Sequence, residues 1–281
     1  MKHIYIIYNP NSTGDSQSNA HRLESELKRH HISSHLVSTE HAGHARQLAR
    51  QYSGPDTMVV SSSVDGGFNE IINGVLTSQY PDTIVGLLPS GNANDHYSAR
   101  HQPDLIDRIV AQDITRSDAL KVSWGDQVHY AHSYAGLGIS AEIGKQLSQY
   151  NLNPLVESWL VVRNLFRHRP VKIILDGRTK RYDSFVCSVI SQMAKYLNFP
   201  DDAPRPNGQF AIIRTKSGSI KTLLRHFLHL TVGSPETLSA REINFTTTSP
   251  TSMQLDGEIV ELPANSAVKI ECLDGAIKSI I

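Results

Sequence analysis

The sequence predicts an α/β domain built on a parallel sheet, followed by a domain of antiparallel strands arranged as a β-sandwich. Two observations predict this. Up to about residue 90, short apolar strand-like runs alternate with helix-like runs, the pattern of a sheet covered by helices on both faces. After about residue 120, short β-like runs follow one another, punctuated by glycine, proline and serine. The boundary is expected near residues 118–122, giving domains of 1–120 and 121–281.

In the first half, HIYIIYN (3–9) reads as a strand. NAHRLESELKRH (19–30) places Leu23 and Leu27 at helical spacing. SSHLVST is strand, HARQLARQY (44–52) helix, DTMVVSS strand, NEIINGVL helix and TIVGLLPS (83–90) strand. In the second half, ALKVSW, QVHYAHSYAG, VKIILDG, SFVCSVIS, GQFAIIRT, REINFTTTS, TSMQLDGEIV and AVKIECLDG read as strands. Two helical stretches interrupt them, 154–168 and 220–230. The run PLVESWLVVRNLFRHRP (154–170), which holds the first, carries Arg163, Arg167 and Arg169 beside apolar residues and suits either a core-facing helix or contact with an anionic bilayer.

Composition narrows the function classes. The 281 residues carry no net charge, so bulk charge points to no nucleic-acid partner. The two cysteines, Cys187 and Cys272, form neither a metal motif nor a disulfide framework. The opening MKHIYIIYNP is too short in apolar residues for a secretory leader, and no run approaches the roughly 18 apolar residues of a membrane span. A cytoplasmic protein is expected. The fourteen histidines include no His-Glu-x-x-His pattern and read as surface or structural residues.

Four stretches could carry chemistry. NPNSTG (9–14) follows the first strand and can aim backbone N–H groups and hydroxyls at phosphate, or simply cap the next helix. SVDGGFNE (63–70) runs from a strand into a helix, with glycines that let a ligand approach the backbone. Asp65 there is either a good cap or a group facing a metal–phosphate complex. LLPSGNANDHYSAR (87–100) repeats the strand–turn–helix pattern with a second acid, Asp95. LDGE (255–258) reads locally as a β-turn.

In this order, together with TEHAGHA (39–45), YAGLGISAEI (134–143) and DDAPRPNGQF (201–210), these stretches resemble the diacylglycerol-kinase catalytic family, which includes bacterial soluble diacylglycerol kinases and sphingosine kinases. The resemblance implies a nucleotide-binding α/β domain related to phosphofructokinases and NAD kinases, a β-sandwich domain, and an active site in the cleft between them. The reaction implied is transfer of the ATP γ-phosphoryl group to a lipid hydroxyl with Mg²⁺. By resemblance, Asn9, Pro10, Asn11, Ser12, Thr13, Thr39, Ser63, Val64, Gly66, Gly67, Phe68, Asn69 and Asn92 touch the nucleotide. Asp65 and Asp95 organise metal and phosphates, and Glu258 accepts the proton of the lipid hydroxyl. Pro204, Asn207 and Gln209 match a structural-metal loop. Partners implied are a diacylglycerol-like lipid, a transiently touched membrane surface and a second copy in a homodimer.

Several positions depart from the family pattern. Its loop reads Gly-Gly-Asp-Gly-Thr where this chain has Ser63, Val64, Asp65, Gly66 and Gly67. Val64 disfavours positive φ, and Gly67 lacks a hydroxyl. Asn92 replaces a threonine and Asn207 an aspartate. Two functions are therefore expected: an active lipid kinase with altered nucleotide handling, or a degenerate member that binds lipid or nucleotide with little transfer. Under the second, Val64→Gly with Gly67→Thr is expected to restore magnesium-dependent ATP binding.

Overall fold

The computed structural model describes residues 2–12, 15–63, 65–89, 104–139, 141, 170–190, 192–193, 197–198, 208–217 and 237–280. The two expected helices at 154–168 and 220–230 lie outside them. The chain divides into two compact units, Met1–Ser117 with Gly275–Ile281, and Asp118–Asp274. The sheets are mixed overall: parallel pairings characterise the first unit and antiparallel pairings the second.

In the first unit, β1 (His3–Tyr8), β2 (Ser34–Ser38), β3 (Thr57–Ser63) and β4 (Ile84–Pro89) lie in the order β4-β3-β1-β2, all parallel. Helices α1 (Ser16–Arg29), α2 (His44–Tyr52) and α3 (Asp65–Leu76) make the crossovers. Helix α1 buries Ser16, Ala20, Leu23 and Leu27, a stripe at helical spacing. It joins α4 (Leu105–Ala111) over Ile4, Ile6, Met58 and Val60. Tyr52 of α2 stacks on Tyr5 at 4.3 Å, and strand alternation puts Tyr5 on the face opposite Ile4 and Ile6. Helices therefore cover both faces, which explains why Met58 to Ser62 are all buried.

Helix α1 begins three residues before the expected Asn19 because Ser16 is bonded into the sheet. It ends without glycine. His31 takes φ +56°, while Ile32 N–H donates to Leu27 O (2.9 Å) and His31 N–H to Lys28 O (3.1 Å), the Schellman pattern.

The sequence division at 120/121 leaves the last residues with the second domain, but Gly275–Ile281 group with the first unit. Strand β17 (Ala267–Ile280) does not turn at Asp274-Gly275. It continues, and its end pairs in parallel with β4, Ser279 beside Val85 and Ile280 beside Gly86. Gly275 adopts φ +55°, and its carbonyl accepts a hydrogen bond from Arg116 Nη1 at 2.7 Å.

In the second unit the described pairings are antiparallel. The order is β16-β15-β7-β9-β8-β14-β17, formed by β7 (Tyr134–Gly138), β8 (Val171–Leu175), β9 (Arg178–Ser188), β14 (Glu242–Thr247), β15 (Thr251–Leu255), β16 (Glu258–Leu262) and β17. The other edge of β9 pairs with β12 (Phe210–Lys216), and β5 (Thr115–Trp124) pairs with β6 (Gln127–Ala131). Tyr182, Phe185, Phe210, Phe245 and Met253 lie at the centre of the core, with Phe185 edge-on to Phe245. The run QVHYAHSYAG is two strands rather than one, broken at His132 and Ser133.

The α2–α3 packing depends on Gly74. A Cβ there would lie 2.7 Å from Ala49 Cβ and against the carbonyl of Arg46. Gly74→Ala should lower unfolding free energy by about 1–3 kcal/mol despite its better helix propensity. Denaturant unfolding checks this, and a stabilised variant would contradict the packing.

Candidate functional site

Strand order reverses at β1, so the chain leaves β1 towards one face and β3 towards the other. The carboxyl ends of such neighbouring strands form the crevice where open α/β sheets bind ligands. Hydrogen bonds fix this junction. Ser16 Oγ donates to Ser62 O and accepts from Asn9 N–H (3.3 Å), and Ser62 Oγ donates to Ser16 O (2.7 Å). Both serines are fully buried. Asn9 Oδ1 accepts Asn11 N–H at 2.9 Å, and Ser12 N–H donates to Asn9 O at 3.2 Å, forming an Asx-stabilised turn. The side chain of Asn9 thus shapes its own loop. The helix cap falls to Asp15, which makes no side-chain capping bond.

At the end of β3, Ser61 Oγ and Ser63 Oγ are 2.6 Å apart. A Cβ on Gly66 would meet nothing within 4 Å, so the backbone there can be approached closely. Gly67 differs. A Cβ there would lie 2.7 Å from Ser63 Cβ and closer still to Ser63 Oγ. The Ser63 side chain occupies the space that a side chain at 67 would need. Relative to the Gly…Thr pattern, the hydroxyl has moved from the helix to the strand end.

Phe68 and Asn69 are buried, Phe68 in the core, so a nucleotide contact by Phe68 would fall to its main chain. Asn69 accepts Asn73 Nδ2 at both its backbone oxygen (2.9 Å) and Oδ1 (3.1 Å). Its own Nδ2 is buried with no partner among the described residues. Glu70 Oε1 accepts the N–H of Gly43, which caps α2. Thr39, one residue past β2, donates its N–H to Tyr8 O at 2.9 Å.

The structure therefore brings Asn9, Pro10, Asn11, Ser12, Thr39, Ser63, Gly66, Gly67 and Asn69 to the strand ends of one sheet, or to the first turn of the helix that follows. Asp65 is the first residue of α3. Thr13, Val64, Asn92, Asp95, Pro204 and Asn207 lie outside the described residues. Sequence reasoning missed Ser16 and Ser62. The available signal was the polar run Ser61–Ser63 that follows the buried apolar residues Met58–Val60 in the strand.

In the second unit, Glu258 opens β16, half-buried and paired with Leu255. Gln209 directly precedes β12, and the N–H of neighbouring Gly208 donates to the buried Asp118 Oδ2 at 3.2 Å. Before Glu258, Asp256 is buried and takes φ +47°. Its carboxylate accepts the backbone N–H groups of His132 (2.5 Å), Ser133 (3.0 Å) and Tyr134 (2.9 Å). His132 Nδ1 is 2.8 Å from Ser133 Oγ. Burial pushes the His132 imidazole down to about 4, although Asp256 Oδ2 stands 3.6 Å from Nε2. The carboxylate is already engaged by three N–H donors, so desolvation prevails over attraction. Among the described residues, no group of three or more His, Cys, Asp or Glu could hold a metal. No described helix is long and apolar enough to cross a membrane.

This architecture matches two solved Bacillus anthracis str. Sterne structures. One, named a "putative diacylglycerol kinase", aligns over 99% of this chain and 96% of its own at TM-score 0.73 and 18% identity. The other, described as a diacylglycerol kinase, aligns over the same shares at TM-score 0.72 and 17% identity. The chain therefore shares its fold with these solved structures. Residues 3–125 match the family model of the diacylglycerol kinase catalytic domain. The Bacillus subtilis (strain 168) protein named "Putative lipid kinase YtlR" is 25% identical over 210 residues, a match spanning 70% of this chain and 66% of the relative.

The Ser63–Gly67 contact changes the expected rescue: a threonine at 67 needs Ser63 removed. Gly67→Thr alone should cost about 1–3 kcal/mol of stability. Adding Ser63→Gly should recover most of it. Equal losses in both backgrounds, measured by thermal unfolding, would contradict the steric exchange.

Proposed function

We propose that this chain is an ATP-dependent lipid kinase that phosphorylates the hydroxyl of diacylglycerol or a similar lipid. The observation that carries the proposal is the family match over residues 3–125, which contains the serine-clamped loops at the β1 and β3 strand ends. Phosphoryl transfer asks for positioning and charge neutralisation more than for covalent chemistry. Backbone N–H groups at the start of α1 and α3, with the open Gly66, suit the binding of phosphate.

In this proposal Asn9 to Thr13, Thr39, Ser63 to Asn69 and Asn92 hold the nucleotide, and Asp65 and Asp95 hold the cation that accompanies it. That Mg²⁺ would neutralise charge on the β- and γ-phosphates. Glu258 accepts the proton of the attacking lipid hydroxyl. Pro204, Asn207 and Gln209 would hold a structural metal, Pro204 and Gln209 through main-chain oxygens. The first unit is read as a phosphofructokinase- and NAD-kinase-like nucleotide domain and the second as a β-sandwich that takes the lipid. The lipid would be met at the cytoplasmic membrane face, by a chain acting singly or as a homodimer.

The test is transfer of the labelled γ-phosphate of ATP to mixed micelles of dioleoylglycerol, sphingosine or a polyprenol. Transfer to at least one lipid is expected. Glu258→Gln should lower kcat by about 10²–10⁴-fold with the KM for ATP unchanged. ATP binding without transfer to any lipid would identify a degenerate member. Full turnover in Glu258→Gln would remove the base assignment.

A further inference from the structure

We infer that Asp256 is a positioning residue for Glu258: its buried carboxylate pins the tip of the β15–β16 hairpin to the segment 132–134 and so fixes the direction of the base. The inference rests on the kinase function proposed above. Asp256 and Gly257 both have positive φ, +47° and +94°, and Leu255 pairs with Glu258, the geometry of a two-residue type I′ hairpin turn. An Asp-Gly turn needs nothing more than that to form.

The same chain contains the control. Asp176-Gly177 joins β8 to β9 with φ +54° and +71°, and Leu175 pairs with Arg178. Asp176 points to solvent with 78% of its side chain exposed, bonded to Lys180 at 2.8 Å. The turn sequence and backbone match, yet only Asp256 is buried. Its burial therefore serves something other than the turn.

What it serves is anchorage. Three backbone N–H groups enter one carboxylate, two at Oδ1 and one at Oδ2, and Asp256 N–H donates to Tyr134 O at 3.2 Å. Hydrogen bonds to an ionised acceptor are about twice as strong as neutral ones. Alongside, β15 pairs with β7, Leu255 beside Ala135. The hairpin tip is thus held by its backbone on one side and by a carboxylate at its centre, two residues before Glu258. A proton acceptor must lie within hydrogen-bond reach of the hydroxyl it serves, so small rotations of the tip would be felt in kcat.

Asp256→Asn tests this with least disturbance. The amide oxygen can keep the N–H groups of Ser133 and Tyr134, while its NH₂ opposes that of His132. With ATP–Mg²⁺ and dioleoylglycerol micelles, kcat should fall about tenfold or more, the equivalent of roughly 1.4 kcal/mol for one charge-assisted bond. The KM for ATP should be unchanged. In a Glu258→Gln background the same substitution should change the residual rate by less than about twofold, because the residue it positions is gone. Should Asp256→Asn not fold, Gly257→Ala strains the same turn in open space and should give the same split between kcat and KM. Equal losses in both backgrounds, or unchanged turnover in the folded variant, would overturn the positioning role alone. A wild-type chain that transfers phosphate to no lipid would overturn the kinase proposal and this one with it.

Discussion

The reciprocal hydrogen bonds between Ser16 and Ser62 hold the first unit's candidate site together. Each hydroxyl donates to the other residue's carbonyl, so the first turn of α1 is fastened to the end of β3 across the point where the strand order reverses. Both groups are fully buried, so an unpaired hydroxyl or carbonyl there would carry its whole desolvation cost. Asn9 is tied to this clamp through its N–H to Ser16 Oγ, and its side chain shapes the turn at Asn9 to Asn11. These bonds preorganise the described backbone at the two strand ends, which lowers the ordering cost of binding a ligand there.

The second unit uses the same physics with the charge reversed in role. There an ionised side chain is the acceptor and the backbone supplies the donors, at Asp256 with residues 132–134. In both units a short polar group reaches far along the sequence to pin a strand end. Neither arrangement adds much apolar burial. Each restricts a loop next to a residue to which the family resemblance gives a chemical role.

The strands of the parallel sheet were legible in the sequence because strands buried on both faces leave unbroken apolar runs such as Met58 to Val60. The Asp256-Gly257 hairpin turn was legible because few residues tolerate positive φ at two successive positions. What was not legible depended on distant partners. The break between β6 and β7 is set by Asp256, 124 positions from His132, and no local window contains both. Asp274-Gly275 resembles a turn, but strand β17 continues through it, with Gly275 bonded to Arg116 and the strand's end paired with β4. Helix α4 has only seven residues, too few for a periodic signal. In the candidate site the loops were readable from composition, whereas the exchange between Ser63 and Gly67 was not. It depends on how a strand end and the first turn of a helix meet in space.

In the proposed kinase, the strand ends of β1 and β3 receive the phosphates of a nucleotide. Backbone amide chemical shifts, followed by NMR during titration with a non-hydrolysable ATP analogue and Mg²⁺, test it most directly. The largest changes are expected at Asn9 to Ser12 and Gly66 to Asn69, with smaller changes at Thr39. Saturable shifts that leave both loops unchanged and fall on other elements would contradict it.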